Sequence, residues 1–371
     1  MQRKIIAVAT FLSAGLFAGS ASAEFSRSYI SVVGSTTATP YAKAVGERVA
    51  KSKKIQTPLL QATGTSGGIK LFCEGLGVTS PDVVVTSRTM KSKEQKECRT
   101  NGVGDILELK IGYDGLVLAQ SKNAPPMDLT RQQARLMLAK WIADDSGNPV
   151  LNPNKTWKDI NPSLPASKIE ILGPPVSSGT YDAFADLISD FTCKGAPWVA
   201  PGKTEPTVDM LKKCRSIRED RAYIRGREND EGSVAQVAAS PSKVAILDYQ
   251  LIAKNAGKLR AVPIDGVDPT PENIAAKAYP ASRPLMVYVK KEKIGAIPGL
   301  RDFIGEFASE SAWGDRGYLT TLGLIPMLPD ERATYLSEVK GLGISPSSGT
   351  QGSKKASSKG KSHHGSKAKK K

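Results

Sequence analysis

Histidine is almost missing. The chain of 371 residues has two, His363 and His364, adjacent in a polar C-terminal stretch. A Ser-His-Asp triad, a Cys-His pair or a His-rich metal centre within a folded body is therefore excluded. Also missing is any run of ~18–20 apolar residues, the length of a stable membrane helix. There is no Walker phosphate loop either. In the stretch Thr63 to Lys70 the G-x-x-x-x-G-K-[ST] spacing fails, because Lys70 is followed by Leu71, which argues against an NTPase. What is present is 40% hydrophobic and 24% charged residues, enough to bury a sizeable core and too much for global disorder. The length suggests roughly two domains at ~150 residues each.

The net charge of +16 looks like a nucleic-acid signal until it is located. Residues 346–371 carry eight lysines and no acid, and residues 1–23 carry only Arg3 and Lys4, which leaves +6 for residues 24–345. A moderately basic body with a cationic tail does not point to a specific nucleic-acid partner. The tail is Ser, Gly and Lys, cannot bury a core, and is expected to be disordered. Its possible contacts are electrostatic, with anionic envelope components.

Arg3 and Lys4 precede an apolar run from Ile5 to Ala18, followed by Ala21-Ser22-Ala23. This three-part pattern predicts a cleavable secretory signal ending before Glu24, hence an exported protein. In an oxidising compartment the four cysteines, Cys73, Cys98, Cys193 and Cys214, read as two disulfides. Local loops, Cys73 with Cys98 and Cys193 with Cys214, are the simplest of three connectivities, each worth about 3 kcal/mol in the chain-entropy account. A four-thiolate zinc site is the alternative, disfavoured because no C-x2-C pair occurs.

The rest alternates strand, polar loop and helix, which predicts an α/β chain with mainly parallel sheets. Strands are expected at 28–33, 58–62, 82–86, 106–111, 116–119, 168–172, 244–249 and 285–289. Helices are expected at 40–50, 69–74, 130–142, 181–191 and 300–311. Residues 147–165 read as an irregular connection. Arg215 to Arg227 is charge-dense and reads as a surface face. The tryptophans, Trp141, Trp157, Trp198 and Trp313, read as packing rather than stacking platforms.

Four loops share one character: Gly34 to Thr37, Thr63 to Gly68, Ser87-Arg88 and Ser177 to Thr180. Each is rich in Ser, Thr or Gly, follows a strand, and mostly opens a helix. Hydroxyls and the unpaired N–H groups of a helix's first turn bind oxyanions, and glycine lets backbone approach a ligand. Arg88 adds a charged fork. One such loop is most often an ordinary cap. Four in an exported α/β chain fit a cleft at the carboxyl ends of strands.

In these residues the chain resembles the periplasmic phosphate-binding proteins of the Pst-type ABC transporter. The matching pieces are GSTT (34–37), TGTSGGIK (63–70), SPDVVVTSRTMK (80–91), KIGYDGLVLA (110–119), SSGTYDAF (177–184), ENDEGSVAQV (228–237) and YPASRPLMVYV (279–289). The resemblance implies a two-lobed, type II-like periplasmic binding fold with the ligand cleft between lobes. It places residues 24–115 and 281–345 in one lobe and 116–280 in the other. It implies inorganic phosphate as ligand, delivery to an inner-membrane ABC permease, a monomer, no cofactor and no catalysis. By motif the ligand donors are Ser35, Thr36, Thr65, Ser66, Ser87, Arg88, Ser178, Gly179 and Thr180.

Two departures stand out. Relatives carry Arg four residues before the Ser of Ser-Gly-Thr, or directly after the Thr; here those positions are Pro174 and Tyr181. Other relatives have Ser-Asp at Ser87-Arg88, so a cation stands where a carboxylate would accept a ligand proton and repel sulfate. Asp230 is the candidate substitute, and a solvated loop charge is the alternative. The rival functions are binding of another oxyanion such as sulfate or molybdate, a phosphate-ester hydrolase, and an envelope structural or adhesion protein.

Overall fold

The computed structural model describes residues 27–175, 178–199, 206–226 and 231–347. The expected export segment, Ser177, Asp230 and the tail from 348 on lie outside these residues.

The first strands, β1 Ser31–Gly34, β2 Leu59–Ala62 and β3 Val83–Thr86, run parallel in the order β2-β1-β3. Helices α1 Thr39–Lys53, α2 Thr65–Phe72 and α3 Ser92–Thr100 follow them in turn. Successive strand side chains point to opposite faces. Val32 and Val85 accordingly enter the main core, while Val33 and Val84 join Ile69, Phe72, Met286 and Tyr288 in a second cluster. Each such side chain contributes about 1.5–3 kcal/mol on burial, which is why these strands read as continuous apolar runs.

The next strand departs from expectation. Separate strands at 106–111 and 116–119 are expected; the chain instead runs as one strand, β4 Ile106–Ser121. Gly112 lets residues 324 and 325 pack against it, since a Cβ there would lie 2.7 Å from the Ile325 carbonyl oxygen. The Tyr113 N–H donates to that oxygen at 2.8 Å. The glycine thus serves a close approach rather than a turn.

Beyond β4 come the hairpin β5 Trp141–Ala143 with β6 Pro149–Leu151, then β7 Glu170–Gly173, β8 Tyr223–Arg225, β9 Lys243–Asp248, β10 Leu259–Val262 and β11 Ser282–Lys290. The large sheet runs β2-β1-β3-β11-β4-β9-β7-β8, with β10 on β4. β4 pairs antiparallel with β11 from Ile106 to Gly115, and with β9 from Leu116. β4 and β11 thus link two lobes. The parallel sets, β1 to β3 and β7 to β9, lie on either side of antiparallel crossovers, so the sheet is more mixed than expected.

The second lobe holds three corrections. The helix expected over 130–142 stops as α4 Arg131–Leu136. The Asn152 amide donates to the Leu136 and Ala139 carbonyls at 2.7 and 2.8 Å, satisfying the end of the helix from outside. The stretch read as a charged surface contains β8 and the buried Arg218, which is 4% exposed and grips Asp220 at 2.8 and 2.6 Å. The expected irregular connection contains β6 and a short helix, Trp157–Ile160. Cys73 bonds to Cys98 and Cys193 to Cys214. Trp157 and Trp313 are core residues, and Trp141 lies under the Lys213 ammonium at 4.2 Å.

Candidate functional site

The carboxyl ends of β1 and β3 and the loop after β2 carry the first three candidate loops. Gly34 and Gly68 touch: a Cβ on Gly68 would lie 2.5 Å from the Gly34 Cα, and one on Gly34 would lie 1.9 Å from the Val85 oxygen at φ +133°. Only glycine permits this approach. It sets α2 directly on β1, with its first turn at the strand ends.

There Thr65 and Ser87 meet. Both are buried, their hydroxyl oxygens are 3.1 Å apart, and the Ser87 N–H donates to Thr65 Oγ1 at 3.2 Å. One hydroxyl hydrogen is used between them, whichever donates, so one remains to offer outward. Ser35 accepts from the Ala38 N–H at 3.4 Å, and Ser178 accepts from the Tyr181 N–H at 3.1 Å. Each is a local hydrogen bond, within the β1–α1 loop for Ser35 and at the helix start for Ser178, and each leaves the serine its own hydroxyl hydrogen. Thr36 and Ser66 are exposed, and Thr180 is buried.

Arg88 is not an open fork. Its guanidinium binds both oxygens of Glu94, at 2.9 and 2.7 Å, and donates to Ser66 Oγ at 3.1 Å. Burial acts to raise the Glu94 pKa, but hydrogen bonds from Arg88 and the Lys91 N–H prevail and hold it below the usual range. Sequence reasoning missed Glu94. Its signal was spacing: Glu94 is the third residue of α3 and reaches back to the Lys91 N–H as a capping-box acid.

A cleft of about 420 Å³ lies where the lobes face each other, lined by Thr36, Thr37 and Tyr41 from one side and Asp248 and Lys254 from the other, with Asp114 between. Its floor is a buried charge network. Arg283, 1% exposed on β11, donates to Asp114 at 2.9 and 2.6 Å, to Asp248 at 2.7 Å and to Thr37 Oγ1 at 3.2 Å. Burial raises the Asp114 pKa against the pull of Arg283. Sequence reasoning missed Arg283. An arginine within an otherwise apolar strand was the available signal, since such a charge is buried only with partners.

Thr65, Ser66, Ser87 and Arg88 therefore form one cluster, and Ser35 and Thr36 stand beside it on the β1 loop. Ser178, Gly179 and Thr180 follow β7, in the second parallel set of strands, at the start of the helix Gly179–Phe184. Of these candidates only Thr36 lines the cleft, which also carries the carboxylates of Asp114, Glu231 and Asp248; the Thr65–Ser87 cluster at the first turn of α2 is a set of neutral hydroxyl and amide donors of the kind that holds an anion.

The profile of the PBP superfamily domain matches residues 19–311. The chain belongs to this family. Among curated relatives, the phosphate-binding protein PstS of Staphylococcus saprophyticus is 28% identical over 277 residues, 73% of each chain. Protein SphX of Synechocystis is 28% identical over 304 residues, 81% of this chain and 79% of its own. Among solved structures of this fold, a possible phosphate binding protein from Planctomyces limnophilus superposes with a TM-score of 0.60 at 26% identity, covering 85% of this chain and 98% of its own. An ABC-type phosphate transport receptor from Vibrio cholerae superposes at 0.57 with 20% identity, covering 81% and 100%. The expected two-lobed α/β architecture is the fold of these family members. No helix among the described residues is long and apolar enough to cross a membrane.

Proposed function

We propose that the protein is a periplasmic receptor that binds inorganic phosphate between its lobes and hands it to an inner-membrane ABC permease, without catalysis. The observation that carries this reading is the buried Thr65–Ser87 hydroxyl pair at the first turn of α2, beside the ends of parallel strands. The names of the relatives, phosphate-binding protein and phosphate transport receptor, support the ligand and the transporter. The donor set is Ser35, Thr36, Thr65, Ser66, Ser87, Arg88, Ser178, Gly179 and Thr180. The switch of β4 from β11 to β9 after Gly115 supports lobe boundaries near 115 and 280. The protein acts as a monomer, and its Lys-rich tail is an electrostatic tether to anionic envelope surfaces.

The test is calorimetric titration of ligand-stripped protein with phosphate and, separately, sulfate. One-to-one phosphate binding with a raised melting temperature is expected, because ligand binds only the folded state. Unchanged heat and melting at millimolar phosphate would refute the reading. Tighter binding of sulfate would move it to another oxyanion.

A further inference from the structure

The second lobe buries a cation that the cleft does not use. Arg135, in α4, is 2% exposed. A guanidinium removed from water needs a carboxylate or a full set of hydrogen bonds. Its Nη2 donates to the Trp141 carbonyl at 2.9 Å and to the disulfide sulfur of Cys214 at 3.1 Å, a weak acceptor. Its Nε is buried with no partner, and among the described residues no carboxylate pairs with it. Burial lowers its pKa to about 10.

A second orphan donor sits nearby. Trp198 is 8% exposed, and its indole Nε1 is also buried without a partner. Both residues line one cavity of about 410 Å³ beside the Cys193–Cys214 disulfide, with Thr130, Arg131, Thr192 and Asp265. Arg131 and Asp265 pair at 2.8 Å and offset each other. Among the described residues, Arg135 is then the uncompensated charge of the cavity.

We propose that this cavity is a second anion site, separate from the inter-lobe cleft, which takes a small, fully ionised monoanion on the Arg135 guanidinium and the Trp198 indole N–H. Those two groups only donate, so they favour an anion with no proton to give away. One uncompensated cation asks for one negative charge. The volume admits either a halide or the carboxylate of a small organic acid. A water molecule would satisfy the hydrogen bonds and leave the charge unbalanced.

The experiment is thermal unfolding of the full chain in phosphate-free buffer, titrated with sodium bromide or sodium acetate. Ionic strength is held constant with a bulky sulfonate salt. A saturable rise in melting temperature is expected in at least one arm, and the arm that responds identifies the source of the anion. Trp198→Phe keeps an aromatic ring and deletes the N–H. It should raise the half-saturating concentration at least tenfold, as should Arg135→Met if it folds. Crystals grown in bromide should give an anomalous peak within hydrogen-bond reach of Trp198 Nε1 if the bromide arm responds. No saturable shift in either arm, or a shift untouched by Trp198→Phe, overturns the proposal. Phosphate titration of Trp198→Phe should match the wild type, so failure here leaves the phosphate reading intact.

Discussion

Two buried charge clusters in this molecule are built on opposite ratios. At the cleft floor, one cation, Arg283, serves two carboxylates, Asp114 and Asp248. At the far end of the first lobe's strands, one carboxylate, Asp82, sits among three cations. Arg27 and Lys293 pair with it, the latter at 3.3 Å, and Lys290 lies alongside. The excess cations are dispersed onto backbone and hydroxyl oxygens. Lys293 donates to the Gly77 and Ser80 carbonyls at 3.0 and 3.1 Å, and Lys290 to Gly75 O and to Ser80 Oγ at 3.1 Å. Carbonyls can absorb surplus positive charge because a folded chain offers so many of them. Surplus negative charge needs N–H and hydroxyl donors, and the cleft floor supplies only a few. The Asp82 cluster ties a loop down. The Arg283 cluster leaves carboxylates at the place where both lobes and the first anion loop, through Thr37, come together.

The largest effect should come from removing the shared cation. Arg283→Met takes it from two buried carboxylates, and breaking a buried pair costs about 3–5 kcal/mol. A large fall in the urea midpoint is expected, and Arg283→Met with Asp114→Asn should recover part of it. Equal stability of the wild type and Arg283→Met would mean that the network is solvated. Asp82→Asn should cost somewhat less, about 2–4 kcal/mol, because one of the stranded cations can shed its proton. If Asp82→Asn proves more damaging than Arg283→Met, the contrast between the clusters is reversed.

That proton gives the third test. Burial, then the neighbouring Lys293 charge, lowers the Lys290 pKa to about 7. Between that value and the unfolded lysine value near 10.4, the unfolded chain binds more protons than the folded one, so stability rises with pH across this window. Below about pH 7 both states are protonated and the full penalty applies. From pH 7 to 9 the gain should be on the order of 1–2 kcal/mol. Melting curves at four pH values should show this rise in the wild type, and Lys290→Met should flatten it. A slope unchanged by Lys290→Met would place the titrating group elsewhere.

These clusters also mark where sequence reading ran out. The parallel strands were legible because their burial on both faces leaves unbroken apolar runs, as in Val83–Thr86. The hydroxyl loops were legible because Ser, Thr and Gly before a helix carry one physical meaning. The continuity of β4 was not, because Gly112 and Gly115 look like a turn unless Ile325 is known to pack there. The stop of α4 was not, because its cap comes from Asn152, which no local pattern reveals. The partner of Arg88 was not, because an arginine's charge is visible in a sequence and its neutralisation by a carboxylate across a loop is not.

Arg88 and Glu94 supply the balanced case, one cation with one carboxylate, and the smallest expected effect on stability. Their side chains are 15% and 19% exposed, so water already shares the charges. Arg88→Ala should therefore cost no more than about 1 kcal/mol in unfolding. Its effect on phosphate binding should be larger. Glu94, no longer paired, would present a bare carboxylate beside Ser66, and like charges at close range oppose an incoming anion. A weakening of about tenfold corresponds to about 1.4 kcal/mol. Ser35→Ala, which removes one neutral donor among several, should lose only about 0.5–1.5 kcal/mol. The deciding variant is Arg88→Ala with Glu94→Gln. If the pair acts by neutralising Glu94, the double variant should regain most of the lost affinity. If Arg88 instead touches the ligand directly, as its place in the donor set proposes, the double variant should bind as poorly as Arg88→Ala alone. Calorimetry on the three proteins separates a guanidinium that binds phosphate from one that keeps a carboxylate out of its way.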